Sequence, residues 1–308
     1  MPSGVDEAVV VQSPGGTDLA GCLRLPEALD GSPMPAALLL AGSGPLDHDG
    51  SAPGMPIGIQ LALADALAAV GIASLRFDRR GVNDGGDWRE ASFDDNTDDS
   101  KAAWALLAAD PRIDKASLSI IGHSEGAVQA VRLAADSALQ PAPSAVVLLA
   151  ASARPGGDVL AWQAERIGGA MPAPDEATRL AQAEAAVAQT KSVQARLLET
   201  TTPVADIDGV ELNAAWMRGF ITYNPATDFP RIGCRVLAVT GDKDLQVPPE
   251  DLVAIAAGVG GPVETQRPDG ISHLLRTDAQ APTLADYKRQ LGLPVDAQVL
   301  GSVTSWLA

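Results

Sequence analysis

Short apolar runs alternate with stretches of helical period through the first half of the chain. Residues 7–12 and 17–26 read as two strands around the turn Pro14-Gly15-Gly16. Residues 36–40 are continuously apolar, as expected of a strand buried on both faces. The run stops at Ala41-Gly42-Ser43-Gly44-Pro45, a loop that neither helix nor strand would tolerate. Ile59, Leu63, Leu67 and Val70 share one face of a helix over 57–70, which Gly71 ends. A strand over 72–77 follows, then a helix over 94–109 stopped by Asp110-Pro111. The same rhythm gives a strand at 118–122, a helix at 125–135 and a strand at 145–150. Strands alternating with helices imply crossover units and a mostly parallel sheet.

That rhythm breaks after residue 151. Residues 154–230 show helical stretches and no strand pattern; 176–200 are rich in Ala, Gln, Glu and Leu, and a shorter helix is expected over 213–220. Strands resume at 235–240 and 263–267, and a last helix covers 296–307. The expected organisation is an α/β core in two parts, 1–152 and 231–308, interrupted by a helical cap at 153–230. There is no internal repeat, and the Ala-rich stretches are only compositional.

The 308 residues are 46% hydrophobic and 20% charged, which supports a large core and excludes a disordered chain. Asp and Glu number 39 against 22 Lys and Arg, a net charge of -17. Such a surface repels a nucleic-acid backbone and an anionic membrane, so neither is an expected partner. Cys22 and Cys234 lie far apart, and free thiols are expected rather than a disulfide scaffold. The opening residues lack a basic and apolar leader, and no run approaches the roughly 20 apolar residues of a membrane span. A cytoplasmic location is the expectation.

The chemistry concentrates in three places. Gly122-His123-Ser124-Glu125-Gly126 has the form G-x-S-x-G between an apolar strand and a helix. There a tight turn projects Ser124 from the sheet edge, and the helix start behind it brings the Glu125 N–H near a developing oxyanion. A serine nucleophile needs a base, and the chain has three histidines, His48, His123 and His273. His123 adjoins Ser124 and should point away from it. His273 follows the last expected strand, where α/β sites are built. For the carboxylate that orients the imidazole, Asp242 and Asp244 compete in Gly241-Asp242-Lys243-Asp244; Asp244 is favoured, because the apolar Leu245 after it can pack the loop. The chain order is serine, aspartate, histidine.

The sequence resembles the α/β-hydrolases, in the branch of serine esterases related to dienelactone hydrolases and prolyl-oligopeptidase catalytic domains. The resemblance covers about 20–150 and 231–308. It rests on Gly42-Ser43-Gly44-Pro45-Leu46-Asp47-His48-Asp49-Gly50, Arg76-Phe77-Asp78-Arg79-Arg80-Gly81, the Ser124 motif and Gly241-Asp242-Lys243-Asp244. It implies a Ser124–Asp244–His273 triad and selects Asp244 over Asp242. The 42–49 loop then supplies a second oxyanion N–H, with Ser43 the first choice and Gly44 the second. His48 between two aspartates is too thin a ligand set for a metal, and a loop-bracing network is the better expectation. The segment 76–81 is expected to brace the loops beneath the elbow rather than to bind a substrate carboxylate. Where the family often continues with Gly-x-Ser, this chain has Val82-Asn83-Asp84-Gly85. The acids at 94, 95, 98 and 99 read as a solvated helix start favoured by the macrodipole.

Trp162, Met171, Trp216, Phe220 and Tyr223, with Met217, are the cap residues from which a pocket wall is expected, and Trp88 is expected at its rim. The implied activity is cofactor-free serine carboxylesterase chemistry on a small-molecule ester of short to medium chain. An acyl thioesterase or acyltransferase, a peptidase, and a ligand-binding receptor retaining the triad are the competing functions.

Overall fold

The computed structural model describes residues 4–27, 31–83, 86–280, 283 and 287–308. Its strands are β1 (Gly4–Gln12), β2 (Asp18–Pro26), β3 (Met34–Leu40), β4 (Ala73–Phe77), β5 (Ile113–His123), β6 (Ala145–Leu149), β7 (Val204–Ile207), β8 (Val210–Asn213), β9 (Arg235–Val239) and β10 (Val263–Gln266). Eight of them form one sheet in the order β1-β2-β4-β3-β5-β6-β9-β10. β1–β2 and β2–β4 are antiparallel, and every other pairing is parallel. This is the α/β-hydrolase fold.

The apolar runs explain why the centre of the sheet is dry. Ala36, Leu38, Leu40, Ile120, Val146 and Leu148 pack on one face with Trp104 and Leu107 of α2 (Phe93–Ala109) and with Ala127, Ala130 and Val131 of α3 (Glu125–Ala134). The intervening Ala37, Leu39, Ile121, Val147 and Leu149 pack on the other. There they meet Ile59, Leu63 and Leu67 of α1 (Ile59–Ala69) and Val299 and Val303 of the helix Ala297–Leu307. Strand alternation therefore feeds two cores at once, each fully buried Leu or Ile contributing about 1.5–3 kcal/mol. The parallel strands β3, β4, β5, β6, β9 and β10 all end at the same rim, which is where a ligand has access.

The acidic start of α2 departs from a solvated cluster. Ser92 and Asp95 form a reciprocal capping box, Asp94 and Asp98 are exposed, but Asn96 and Asp99 are buried. Asp99 accepts from Arg80 Nε at 2.8 Å, so Arg80 and not solvent neutralises it. Asp84 and Gly85 lie outside the described residues.

Between β6 and β9 the chain forms the inserted cap: α4 (Gly156–Gly169), α5 (Glu176–Glu199), the β7–β8 hairpin and α6 (Ala214–Thr222). The hairpin corrects the expectation that this region holds no strand. Its turn residues, Asp208 and Gly209, both have positive φ (58° and 82°), as a two-residue hairpin turn demands. Arg154, at the cap's beginning, donates through Nε to buried Asp251 at 2.9 Å. Gln163 Nε2 of α4 donates to Gln246 O at 2.7 Å, tying the cap to the loop after β9.

Candidate active site

Ser124 sits at the turn between β5 and α3 with φ 56° and ψ −120°, a backbone state costing about 1–3 kcal/mol. The turn is feasible only with glycine on either side. A Cβ on Gly122 would stand 2.1 Å from Gly126 O, and one on Gly126 would stand 2.1 Å from Leu40 O. The strain is held by the ladder: Ser124 N–H donates to Leu149 O at 2.9 Å, and its carbonyl accepts from Ala127 at 2.9 Å.

The loops after β9 and β10 bring the other two side chains to Ser124. His273 Nε2 is 3.1 Å from Ser124 Oγ. His273 Nδ1 is 2.8 and 3.0 Å from the two Asp244 oxygens. Asp244 Oδ1 also accepts the N–H groups of Gln246 and Val247, at 2.7 and 2.8 Å. Asp244 and His273 are buried. Asp242 is exposed and turns elsewhere, accepting the Gly270 N–H at 2.6 Å and so stitching the acid loop to the histidine loop.

His123, expected to point away from Ser124, makes a specific contact. Its Nε2 lies 2.8 Å from His273 O. Burial, with the neighbouring His273 adding repulsion, pushes its pKa down to about 3, so it is neutral and Nε2–H donates. A pH dependence follows. The unfolded imidazole binds a proton below about pH 6.5, while the folded one does not until about 3. Stability contributed by this site is thus intact above about 6.5 and falls as pH drops toward 3. The glutamine variant His123→Gln should lose less stability than the wild type between pH 7 and pH 5 in urea unfolding; equal losses would show that this histidine does not carry the effect.

His48 belongs to the loop bracing. Its Nδ1 and its backbone N–H each lie 2.7 Å from Asp78 Oδ1, and that carboxylate raises its pKa. Asp49 accepts from buried Arg76 at 2.9 Å.

Ser43 lines the same cavity as Ser124, and Gly42 packs so closely that a Cβ on it would lie 3.5 Å from Ser124 Cβ. The backbone N–H groups of Ser43 and Glu125 make no hydrogen bond among the described residues. A cavity of about 130 Å³ opens on Ser124 and His273, walled by Leu46, Ile57, Ile59, Gln60, Gln246 and Leu274. No motif or periodicity marked the start of α1 as part of its wall. A second cavity, about 120 Å³, lies beyond Ser43 and Gly44 and is walled by Trp88, Trp216, Arg79, Arg80, Asn96 and Asn213.

Of the cap side chains, Trp216 lines this second cavity; Trp162, Met171, Phe220 and Tyr223 line neither. Phe220 stacks on Trp216 with centroids 4.8 Å apart, and both pack on Phe93 of α2. Tyr223 also packs on Phe93 and donates to Asp228 at 2.7 Å. Trp162 carries Arg166 over its ring at 5.0 Å, and Met171 is exposed. Trp88, 39% exposed, stands at the cavity's edge.

The family described as serine aminopeptidase, S33, matches residues 56–280. The chain belongs to that family. With its Ser–His–Asp arrangement it is an α/β-hydrolase enzyme of the serine-hydrolase type. No curated protein matches the sequence. Among solved structures, this hydrolase is similar to Est1E from Butyrivibrio proteoclasticus, at 16% identity and a TM-score of 0.61 over 97% of each chain. It is also similar to the esterase domain of a Rhodothermus marinus protein, at 19% identity and TM-score 0.57, covering 98% of this chain and 97% of that one. Hypothetical protein PA2218 from Pseudomonas aeruginosa aligns at 17% identity and TM-score 0.62, covering 99% and 94%. At these identities the likeness establishes the fold. No helix among the described residues is long and apolar enough to cross a membrane.

Proposed function

We propose that this hydrolase is a serine carboxylesterase acting on short- to medium-chain esters. The observation that carries the proposal is the unbroken hydrogen-bonded line from Asp244 through His273 to Ser124 Oγ, at 2.8 and 3.1 Å, on the wall of a small cavity. His273 Nε2 takes the Ser124 proton as Oγ attacks the ester carbonyl. Asp244 holds the imidazole in the productive tautomer and stabilises the imidazolium. The Ser43 and Glu125 N–H groups receive the oxyanion. His273 then protonates the leaving alcohol, and water repeats the sequence on the acyl-enzyme. Both N–H groups are unspent, and Glu125 opens α3, where the helix dipole favours negative charge.

A cavity of about 130 Å³ favours a short or medium acyl group over a long chain. Residues 153–230 act as the cap, with Trp216 its substrate contact and Phe220 and Tyr223 its anchors on Phe93. The dienelactone-hydrolase and prolyl-oligopeptidase branch stays part of this proposal on the strength of the four sequence motifs. A cytoplasmic location does so on the strength of two unpaired thiols. The family's description favours one second reading, hydrolysis of an N-terminal peptide bond.

Initial rates on p-nitrophenyl esters from acetate to palmitate test the proposal. Turnover should be highest for short acyl groups and fall steeply toward palmitate. Rates that rise toward palmitate would overturn the small acyl pocket. Turnover of aminoacyl p-nitroanilides without ester turnover would establish the peptidase reading instead.

A further inference from the structure

One arginine grips both loops that carry the proposed oxyanion donors. Arg79 follows β4, and its backbone N–H donates to Leu46 O at 2.8 Å, at the far end of the Gly42-Ser43-Gly44 loop. Its Nη1 donates to Gly42 O at 3.1 Å and Ala41 O at 3.4 Å, at the near end. Its Nη2 donates across the elbow to Glu125 Oε1 at 3.0 Å. Asn96 Nδ2 of α2 reaches the same oxygen at 3.0 Å. The side chains of Arg79 and Glu125 are 11% and 2% exposed, so these charge-assisted bonds form away from bulk water, where they are strongest.

The peptide plane turns this grip into a statement about the site. Gly42 C=O and Ser43 N–H belong to one planar trans peptide and point in opposite directions. A cation bonded to Gly42 O therefore fixes where the Ser43 N–H points and polarises it as a donor. On the other side, the same guanidinium fixes the side chain of Glu125, the residue whose N–H is the second donor. We infer that Arg79 is a positioning residue that sets both halves of the oxyanion hole at once. The inference rests on the proposed assignment of Ser43 and Glu125 as oxyanion donors.

Arg79 also borders the cavity beside Trp88 and Trp216, where it invites a substrate-carboxylate role. Its partners argue against that role. The Glu125 carboxylate already matches its charge, and both Nη atoms are committed to the loops.

The full-length Arg79→Met and Arg79→Lys variants test the inference, with steady-state kinetics on a neutral p-nitrophenyl ester and inhibition by an alkyl trifluoromethyl ketone. The ketone's hemiketal with Ser124 places a negative oxygen where the oxyanion forms. In Arg79→Met, kcat should fall about 10²–10³-fold, the effect of losing one oxyanion donor, while KM changes by less than about threefold. The ketone's Ki should rise by the same factor as kcat falls. The inflection of the kcat/KM pH profile should stay in place, because His273 and Asp244 are untouched. Arg79→Lys, which keeps the charge but cannot reach both loops, should be intermediate; it keeps the test open if the methionine variant does not fold. Unchanged ketone affinity alongside reduced kcat would overturn the inference. So would a loss confined to KM and seen only with carboxylate-bearing esters, which marks substrate binding. A wild type that neither hydrolyses the ester nor binds the ketone would overturn the esterase assignment together with the inference, an outcome distinct from both.

Discussion

Replacing Ser124 with alanine should lower kcat on p-nitrophenyl acetate by about 10⁶-fold, to a residue of activity set by the oxyanion donors alone. The size follows from the chemistry. Without Oγ there is no acyl-enzyme, and His273 has only water to activate, in a site shaped around a serine oxygen. The fold should survive, because alanine meets the same φ of 56° under the same ladder bonds that hold serine there. His273→Ala should cost a comparable factor, and the double variant little more than either alone, since the two side chains act as one unit. Wild-type protein should take up one fluorophosphonate per chain and the alanine variant none, by intact mass. Alanine activity within a hundredfold of wild type would remove Ser124 from the mechanism. Stoichiometric labelling with ester turnover that stops after one equivalent would identify a receptor rather than an esterase.

The strain at Ser124 fits the proposed nucleophile to this fold. A nucleophile held at positive φ needs a rigid surround. β5 lies in the middle of the parallel sheet, with β3 on one side and β6 on the other. Gly122 and Gly126 allow the turn to lie against Leu40, and Leu149 accepts the Ser124 N–H. The cost is thus carried by elements whose burial far exceeds it. The proposed base and acid stand on loops instead, and their order comes from hydrogen bonds to the backbone. Asp242 bonds to Gly270, His123 to the His273 carbonyl, and Asp244 to two following N–H groups. Replacing such bonds should shift catalytic geometry before it affects global stability.

The same distinction decides what was legible in the sequence. The core strands were plain because residues such as 36–40 and 145–150 are apolar without interruption, and burial on both faces admits little else. Ser124 was plain because the tight turn dictates glycine at fixed offsets. The proposed acid was narrowed to two residues, with Asp244 favoured by the apolar Leu245 after it and selected by resemblance, since Asp242 and Asp244 differ mainly in where a loop sends them. Less was visible where long-range pairing decides. Asp99 looked like one of several solvated acids, but Arg80 draws it into the core. The β7–β8 hairpin hid among helix formers, although Asp208-Gly209 between alternating residues carried the signal. The cap aromatics could be named but not aimed. Phe93, on another element, captures Phe220 and Tyr223, and only Trp216 reaches a cavity wall.

The aspartates offer the sharpest separation of the proposed site from its scaffold. Asp244→Asn should lower kcat by about 10⁴-fold. Both Asp244 oxygens lie within 3.0 Å of His273 Nδ1, and Oδ1 is further pinned by the Gln246 and Val247 N–H groups. In the variant the amide oxygen stays with those two N–H donors and the NH₂ faces Nδ1. The imidazole then accepts at Nδ1, carries its proton on Nε2, and cannot take one from Ser124. Asp242→Asn should cost less than about tenfold, because asparagine keeps the oxygen that accepts the Gly270 N–H in an exposed position. Single-turnover rates on p-nitrophenyl acetate, with circular dichroism to confirm folding, compare the two. If the larger loss falls on residue 242, the acid is Asp242 and the 2.8 Å contact of Asp244 is structural. If both losses are small, His273 finds its tautomer without a carboxylate, and the triad reduces to a Ser124–His273 pair.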